Sequence, residues 1–481
     1  MRLIAICLVL LLPGCTAFKM PRPAREAQLD VDIPMDWTRS QSAHHGDAGT
    51  GWLKTFADPE LEHLVQEAIE RNQNLRVAAA RLKAAKEGTI IGRAGRLPSI
   101  GAGLGGSYSE TSIRDKNGVL QPFVAAEDYQ LSLNASWEVD LWGRLANIHR
   151  ATKADYEGQL ADYHAARLSL AANTVKAWCN LTAARQQVEL AEQTRESFDR
   201  NQRIVERNYK AGDIAASPLD VQFARNQLAA AERGLISQRL GQDEARRSLE
   251  LLLGRYPSAS VSGRSDLPVL TDSVPAGLPS DLLMRRPDLI AAAADLRASA
   301  ERAGAARKGL LPSISLTAGG STGAASMDLL DLVGDPSFIA WNVAASLAQP
   351  IYRGGALQAQ AKQALAFNEA AVLSFSGLAL RAFREVESAL AAEQSLTQQY
   401  VFLETEVRQA NLAEAQATRD YSEGIVGYLS VREAQRRAFN ARSAMIGLRN
   451  ARLQNRIDLY LALGGDFADA PQQPRQVSKI Q

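Results

Sequence analysis

The chain is written twice. Asn74-Leu75, Ala78-Ala79-Ala80 and Leu97-Pro98-Ser99-Ile100 recur at one constant offset as Asp288-Leu289, Ala292-Ala293-Ala294 and Leu311-Pro312-Ser313-Ile314. Further on, Tyr209-x-x-Gly212 returns as Tyr421-x-x-Gly424, and Leu253-Gly254 as Leu463-Gly464. A match that runs from helix through strands to a second helix pair specifies two tandem copies of one structural unit, related by a pseudo-symmetry axis.

Each copy contains two stretches of strict period two. Tyr129, Leu131, Leu133, Ala135, Trp137, Val139 and Leu141 alternate with polar residues, and Ile339, Trp341, Val343, Ala345, Leu347 and Ile351 alternate with mostly small or polar ones. The residues after each Leu-Pro-Ser-Ile alternate in the same way. The expected strands, about 98–110, 128–141, 312–322 and 338–351, approach the ~9 to 11 residues of a tilted transmembrane strand. Alternation also suits a soluble sandwich with one wet face. Four strands cannot close a barrel, and an open edge in hydrocarbon leaves backbone groups unpaired at several kcal/mol each. If these strands lie in a membrane, several chains share one barrel: eight strands from two chains or twelve from three both close, and spacing does not choose.

Long intervals free of proline follow the strands, from Pro122 to Pro218 and from Pro350 to Pro471, so helix can run unbroken there. Heptad seams run through Leu170, Ala177, Leu181, Val188, Phe198 and Val205 to Tyr209, and through Leu403, Val407, Ala410 and Ala417 to Tyr421. Polar exceptions at Arg195, Gln202 and Glu414 weaken a simple two-stranded coiled coil and suit a water-filled interior. Both seams stop at tyrosines just before a glycine, where a helix ends in a turn. Helices are expected at about 143–210 and 216–254, then 354–422 and 428–463. From about 145 to 208 the first would reach ~95 Å at ~1.5 Å per residue, and the shorter return helices gain length from segments 59–96 and 281–310 stacked on their ends.

Fifty-four basic and 53 acidic residues leave a net charge of +1, which argues against a nucleic-acid binder, and only 6% aromatic content suits close-packed alanine-rich helices. At the start, Arg2 and an apolar run from Leu3 to Leu12 precede Leu12-Pro13-Gly14-Cys15. This run is too short for a permanent membrane helix and reads as a processing signal. Leu at −3 and Gly at −1 resemble a bacterial lipobox, with acylation expected on Cys15; Pro13 departs from the small residue usual before that glycine. Thr16 stands where an aspartate resembles an inner-membrane retention signal, which favours the outer membrane. With Cys7 removed and Cys15 lipidated, Cys179 alone remains, a small packed helix residue.

Chemistry finds little support. None of His44, His45, His63, His149 and His164 has a partner at metal-ligand spacing, and the six methionines do not cluster. Gly101-x-Gly103-x-x-Gly106 matches a dinucleotide fingerprint by letter but lies in a strand pattern with no helix behind it. No nucleophile motif stands out. No catalytic residue, metal or cofactor is expected beyond a covalent lipid on Cys15.

Taken together, the lipobox, Leu278-Pro279-Ser280-Asp281-Leu282-Leu283-Met284-Arg285-Arg286-Pro287-Asp288-Leu289, both Leu-Pro-Ser-Ile segments and Tyr421-x-x-Gly424-x-x-x-Tyr428-Leu429-x-Val431-x-x-Ala434-Gln435 resemble the TolC-like outer membrane factors, most closely their NodT-type lipoproteins. The resemblance covers nearly the whole mature chain. It implies an α+β membrane protein: a homotrimer whose outer-membrane β-barrel, four strands per chain, continues into a long periplasmic α-helical coiled-coil barrel. It implies a passive efflux channel for drugs and other toxic small molecules, with a periplasmic adaptor and an inner-membrane pump of the resistance-nodulation-division type as partners. A type I protein-secretion duct and a pore-less structural lipoprotein remain as alternatives.

The expected organisation is a signal peptide at 1–14, a lipid-anchored segment at 15–57, a first repeat at 58–255, a linker at 256–280, a second repeat at 281–465 and a disordered tail at 466–481. Two features depart from the family's pattern. Ala293-Ala294 stands where relatives carry Ala-Glu, and Ile425-Val426-Gly427 lacks the aspartate that forms an acidic ring in some relatives. The candidates for the periplasmic tip and gate are therefore Tyr209, Gly212, Asp213, Arg419, Asp420, Tyr421, Glu423 and Gly424.

Overall fold

The structure, a computed structural model, describes residues 20–27, 33–34, 37–38, 51–120, 122–212, 217–270, 282–324 and 338–465. Cys15, the signal segment, Asp213 and the tail beyond 465 lie outside them. A 3₁₀ turn at Trp52–Phe56 precedes α1 (Pro59–Arg71) and α2 (Gln73–Ala94). Then come β1 (Ser99–Thr111), β2 (Val124–Val139), α3 (Arg144–Lys210) and α4 (Pro218–Leu252). The second copy repeats the order with α5 (Leu282–Arg285), α6 (Pro287–Lys308), β3 (Ser313–Ala324), β4 (Phe338–Ala348), α7 (Ala356–Ser422) and α8 (Tyr428–Ala462). Both α3 and α7 run for 67 residues and both α4 and α8 for 35. Among the described residues no helix is long and apolar enough to cross a membrane.

Strand boundaries differ from the periodicity at several ends: β2 stops at Val139, before Leu141, and β3 runs on to Ala324. β2 starts at Val124 instead of 128, and β1 runs to Thr111, because Ser109 to Thr111 pair with Val124 to Ala126 and shorten the expected loop. β4 ends at Ala348, before Ile351; Pro350, which lacks an N–H for the ladder, follows two residues later.

The described chain divides into two compact units. One holds Leu82–Gln159 and Ala291–Ser376, hence all four strands, in one antiparallel sheet of order β1-β2-β3-β4. Tight junctions join strand to helix here. Asp140 accepts from the N–H groups of Leu145 and Ala146 at 2.9 and 2.7 Å, filling the open donors of the first turn of α3. The indoles of Trp137 and Trp142 donate to the carbonyls of Arg96 and Pro312 at 3.0 and 2.7 Å.

The other unit holds Leu29–Arg81, Leu160–Ile290 and Gly377–Gln481. Its core joins Leu61, Leu64 and Val65 of α1 to Trp178, Cys179 and Leu181 of α3, with Leu249, Leu453 and Ile457. Burial pushes the Cys179 thiol up to about 12, which fits a packing role. Two end-to-end junctions repeat each other in this unit. Asn72 Nδ2, between α1 and α2, donates to the Leu252 carbonyl at 3.0 Å. Arg286, between α5 and α6, donates to the Ala462 carbonyl at 3.3 Å. Gly254 and Gly464, at φ +68 and +69, lie against the backbone of Arg71 and of Arg285. These are left-handed helix ends that admit glycine both for its φ and for the close approach. The linker follows: Glu250 receives the N–H groups of Ala259, Ser260 and Val261 at 2.8, 2.6 and 3.2 Å, and Arg185 reaches the Gly263 carbonyl at 2.6 Å.

Candidate functional site

Two places are candidates for function, and each is built from local pattern. The first is the sheet. Its register links Ile100, Ala135, Ala318 and Val343 across the four strands, and likewise Leu104, Leu131, Thr322 and Ile339. Period two then puts Ile100, Ala102, Leu104, Tyr129, Leu131, Leu133, Trp137, Ile314, Leu316, Val343 and Leu347 on one face. The opposite face carries Ser99, Gly103, Ser132, Asn134, Ser315, Thr317, Asn342 and Ser346. Among the described residues much of the sheet stands open on both faces: Trp341 is 81% exposed and Val343 72%, and every residue of β1 is exposed. Among the described residues β1 and β4 are the two edges, each paired on one side.

The polar face has a particular level. Asn134 pairs with Gly319, which pairs with Asn342. A Cβ on Gly319 would stand 2.8 Å from Asn342 Oδ1 and 3.1 Å from Asn134 Oδ1, so glycine leaves room for two amides to lean over it. Along this face Glu138 is tied to Arg144 at 2.8 Å, and the middle of β1, β2, β3 and β4 carries serine, glycine, threonine, alanine and amide side chains.

The second place is the pair of helix turns. After α3, Gly212 takes φ +74 and its N–H bonds to the Tyr209 carbonyl at 3.1 Å. After α7, Gly424 takes φ +76 and bonds to the Tyr421 carbonyl at 3.1 Å, while Ile425 N–H reaches the Asp420 carbonyl at 2.8 Å. The returns start differently. Ser217 and Asp220 form a reciprocal capping box ahead of α4, with Pro218 in its first turn. Gly427 precedes α8 with no side-chain cap.

A small core draws these ends together: Val205, Val221, Ala224, Tyr428 and Val431, with Phe223, Ala417 and Tyr421 at its margin. Tyr428 Oη donates to Gln227 Oε1 at 3.2 Å, and the rings of Tyr421 and Tyr428 lie 5.9 Å apart. Burial, then the neighbouring Tyr421, pushes the Tyr428 hydroxyl up to about 12, so it remains a donor. The Arg432 guanidinium sits 4.8 Å over the Phe223 ring.

Of the sequence candidates, the structure brings Tyr421 into this core and leaves Tyr209 45% exposed. Arg419 and Asp420 bond to Gln416 at 2.6 Å each, as neighbours on one helix, and Glu423 is exposed beside Gly424. Asp213 is outside the described residues. Tyr428 closes the segment Gly424–Tyr428, where the sequence differs from the first copy's turn, and the structure adds Gln227, Phe223 and Arg432. Tyr428, Val431 and Gln435 share one helix face at spacings of three and four, which marks Tyr428 as core-facing; Gln227 lies in the other copy and carries no such signal.

A duplicated chain with long helical hairpins and a two-faced open sheet defines an outer membrane channel component. The profile of the outer membrane efflux protein family matches residues 64–255 and 278–465, and the chain belongs to that family. It is 31% identical over 475 residues to the cation efflux system protein CusC of Escherichia coli, spanning 97% of this chain and 99% of that one. It is 31% identical over 477 residues to the pyoverdine export outer membrane protein OpmQ of Pseudomonas aeruginosa, spanning 97% and 96%. The crystal structure of the open state of the Neisseria gonorrhoeae MtrE outer membrane channel superimposes with a TM-score of 0.80 at 28% identity, covering 94% of this chain and 98% of that one.

Proposed function

We propose that three copies of this chain close a twelve-stranded barrel in the outer membrane and form a passive duct. A periplasmic adaptor and an inner-membrane pump of the resistance-nodulation-division type deliver small molecules to it. The observation that carries this reading is the sheet, apolar on one face and polar on the other, with both faces largely open and both edges unpaired among the described residues. In hydrocarbon such a sheet is stable only when its edges pair with further strands, and the polar face then lines water. The helix ends around Tyr421, Tyr428 and Gln227 form the gate, opened when docking favours a separated arrangement over the packed one. Cys15 carries the lipid anchor. CusC and OpmQ, equally similar to this chain, carry the names of cation efflux and pyoverdine export, and the sparsely charged middle of the polar face supports a duct that leaves cargo choice to the pump.

Purified chain in planar bilayers tests this reading. Discrete conductance steps and a heat-modifiable trimer band are the expected results, together with greater sensitivity to exported compounds in cells that lack the gene and redundant ducts. A chain that runs as a monomer and conducts nothing would sink it.

A further inference from the structure

At the junction below the first copy's strands, α2 crosses α3 at Gly92, where an added Cβ would overlap the Thr152 hydroxyl. Around this crossing stand Arg93 at the end of α2, Arg96 in the turn that follows it, and His149 and Lys153 of α3. His149 is held below its ordinary pKa by burial and then by the positive charge of Arg96, Arg93, Lys153 and Arg150. Other cations along α3 and the facing α6 have acidic partners: Arg150 of α3 meets Glu301 at 3.0 Å, and Arg302 and Arg297 of α6 meet Asp155 at 2.5 Å and Glu157 at 3.0 Å. The side chains of Arg93, Arg96 and Lys153 make no ion pair or hydrogen bond among the described residues. Clustered cations without a counter-charge repel one another, and an anion relieves that repulsion.

The second copy is built differently at the same place. At the offsets that equate Leu97 with Leu311 and Tyr209 with Tyr421, the counterparts of Arg96 and His149 are Leu310 and Ala361. Both are buried, 5% and 0% exposed, and pack with Met20 and Ala306. Arg307, the counterpart of Arg93, donates to the Met20 carbonyl at 3.0 Å. There the chain's own residues close the junction; in the first copy cations stand open. The position of the cluster says what would meet it. Trp137, on the apolar face of the sheet, donates its indole N–H to the Arg96 carbonyl at 3.0 Å, which fixes Arg96 at the rim of that face. An indole beside basic side chains at such a rim suits the headgroup level of a membrane.

We propose that Arg93, Arg96 and Lys153 form a binding site for the phosphate of an anionic phospholipid in the periplasmic leaflet of the outer membrane. The inference rests on the reading that the apolar face meets lipid. Guanidinium forks pair with phosphate oxygens through charge-assisted hydrogen bonds, with the lysine as a point charge beside them. Binding there ties the helical part of the first copy to the leaflet at the level where Met20 seals the second.

The test uses the full chain in phosphatidylcholine vesicles, with spin-labelled phosphatidylglycerol compared against spin-labelled phosphatidylcholine at low salt. The expected result is a preference for the anionic lipid of roughly fivefold or more. It should vanish in the variant Arg93→Gln/Arg96→Gln/Lys153→Gln and persist in Arg81→Gln/Lys83→Gln/Lys86→Gln, which removes equal charge elsewhere on α2. Arg96→Leu with His149→Ala installs the second copy's packing pair and guards against misfolding; this variant too should weaken the preference. Equal affinity of the wild type for both lipids overturns the proposal, as does equal loss in the control variant. Abolition of the preference by millimolar inorganic phosphate overturns it in favour of a free-anion site. Trimers that dissociate in the triple variant, with no lipid preference in the wild type, overturn it in favour of contacts with a second copy. Quenching of Trp341 by brominated phosphatidylcholine, read against Trp341→Phe, separates the two readings. No quenching defeats the membrane placement, whereas quenching without lipid preference defeats this inference alone.

Discussion

The two copies share backbone and differ in side chains at corresponding joints. Gly254 and Gly464 end their return helices at nearly the same φ against the same backbone neighbour. Yet Asn72 in the first copy is Arg286 in the second, and the buried Glu250, which clamps the linker, is replaced by Tyr460, stacked 5.4 Å from Trp52. A duplicated backbone needs the same turns twice, so the glycines are held by geometry. The side chains around them are free to take up whatever each copy meets: a linker in one, the N-terminal segment in the other.

The largest expected effect is at the second copy's joint. Arg286 is 8% exposed and bonds to Asp288 at 2.7 and 3.0 Å, to Glu385 at 2.7 Å and to the Ala462 carbonyl at 3.3 Å. Arg286→Ala strands two carboxylates and a carbonyl and should cost about 3 kcal/mol, at the low end for a broken buried pair because both acids keep solvent contact. Asn72→Ala removes a neutral hydrogen bond and should cost about 1 kcal/mol. Thermal melting of the detergent-solubilised protein gives both values; equal losses would break the claim that the copies differ in strength here.

Next comes the shared glycine. In Gly254→Ala a Cβ meets the Arg71 carbonyl oxygen at 2.8 Å, whereas at Gly464 the nearest backbone atoms stand at 3.1 Å. With a left-handed φ in both, Gly254→Ala should cost about 2 kcal/mol and Gly464→Ala nearer about 1. The reverse order in melting temperature would mean that the second joint is the tighter one.

Glu250 sharpens the comparison through pH. Burial by itself raises its carboxyl, but hydrogen bonds from Ala259, Ser260 and Val261 outweigh this and hold it below the ordinary 4.5. A depressed carboxylate stabilises the fold fully above its unfolded value and loses that contribution as pH falls through the folded value. Stability should therefore decline below about pH 4.5 in the wild type with a component that Glu250→Gln removes, while Glu250→Gln costs about 1.5 kcal/mol at neutral pH. An unchanged pH profile in the variant would place the acid sensitivity elsewhere, for example at Glu67, lowered by its Arg255 partner.

Much of this architecture was legible before any coordinates, because its signals are periodic. Proline-free intervals contain α3, and α7 with α8, and alternation marks the two-faced sheet. The joints and the polar core of the turns were not. Gln227 and Tyr428 lie 201 positions apart, and Gly319 takes its meaning from Asn134 and Asn342 on two other strands. Pattern along one chain tells which face a residue occupies and says nothing of what faces it. Charged residues near the turn, Arg419, Asp420 and Glu423, drew attention because charge is conspicuous in sequence, while the residues packed at the turn are aromatic, aliphatic and amide.

The smallest expected energy tests the turns, where function and stability separate. Tyr428→Phe keeps the ring in its core and deletes one hydrogen bond to Gln227, a loss of about 1 kcal/mol. Ser217→Ala deletes the capping box of the first copy's return helix at a similar cost of about 1 kcal/mol. If the core around Tyr428 is the latch, the two variants should melt alike and conduct differently. Tyr428→Phe shifts the closed–open balance about fivefold and raises basal conductance, since its bond joins the two copies and is lost when they part. Ser217→Ala acts within one turn and leaves conductance at the wild-type level. Equal conductance in both variants would move the gate away from this core, toward the exposed charges around Glu423.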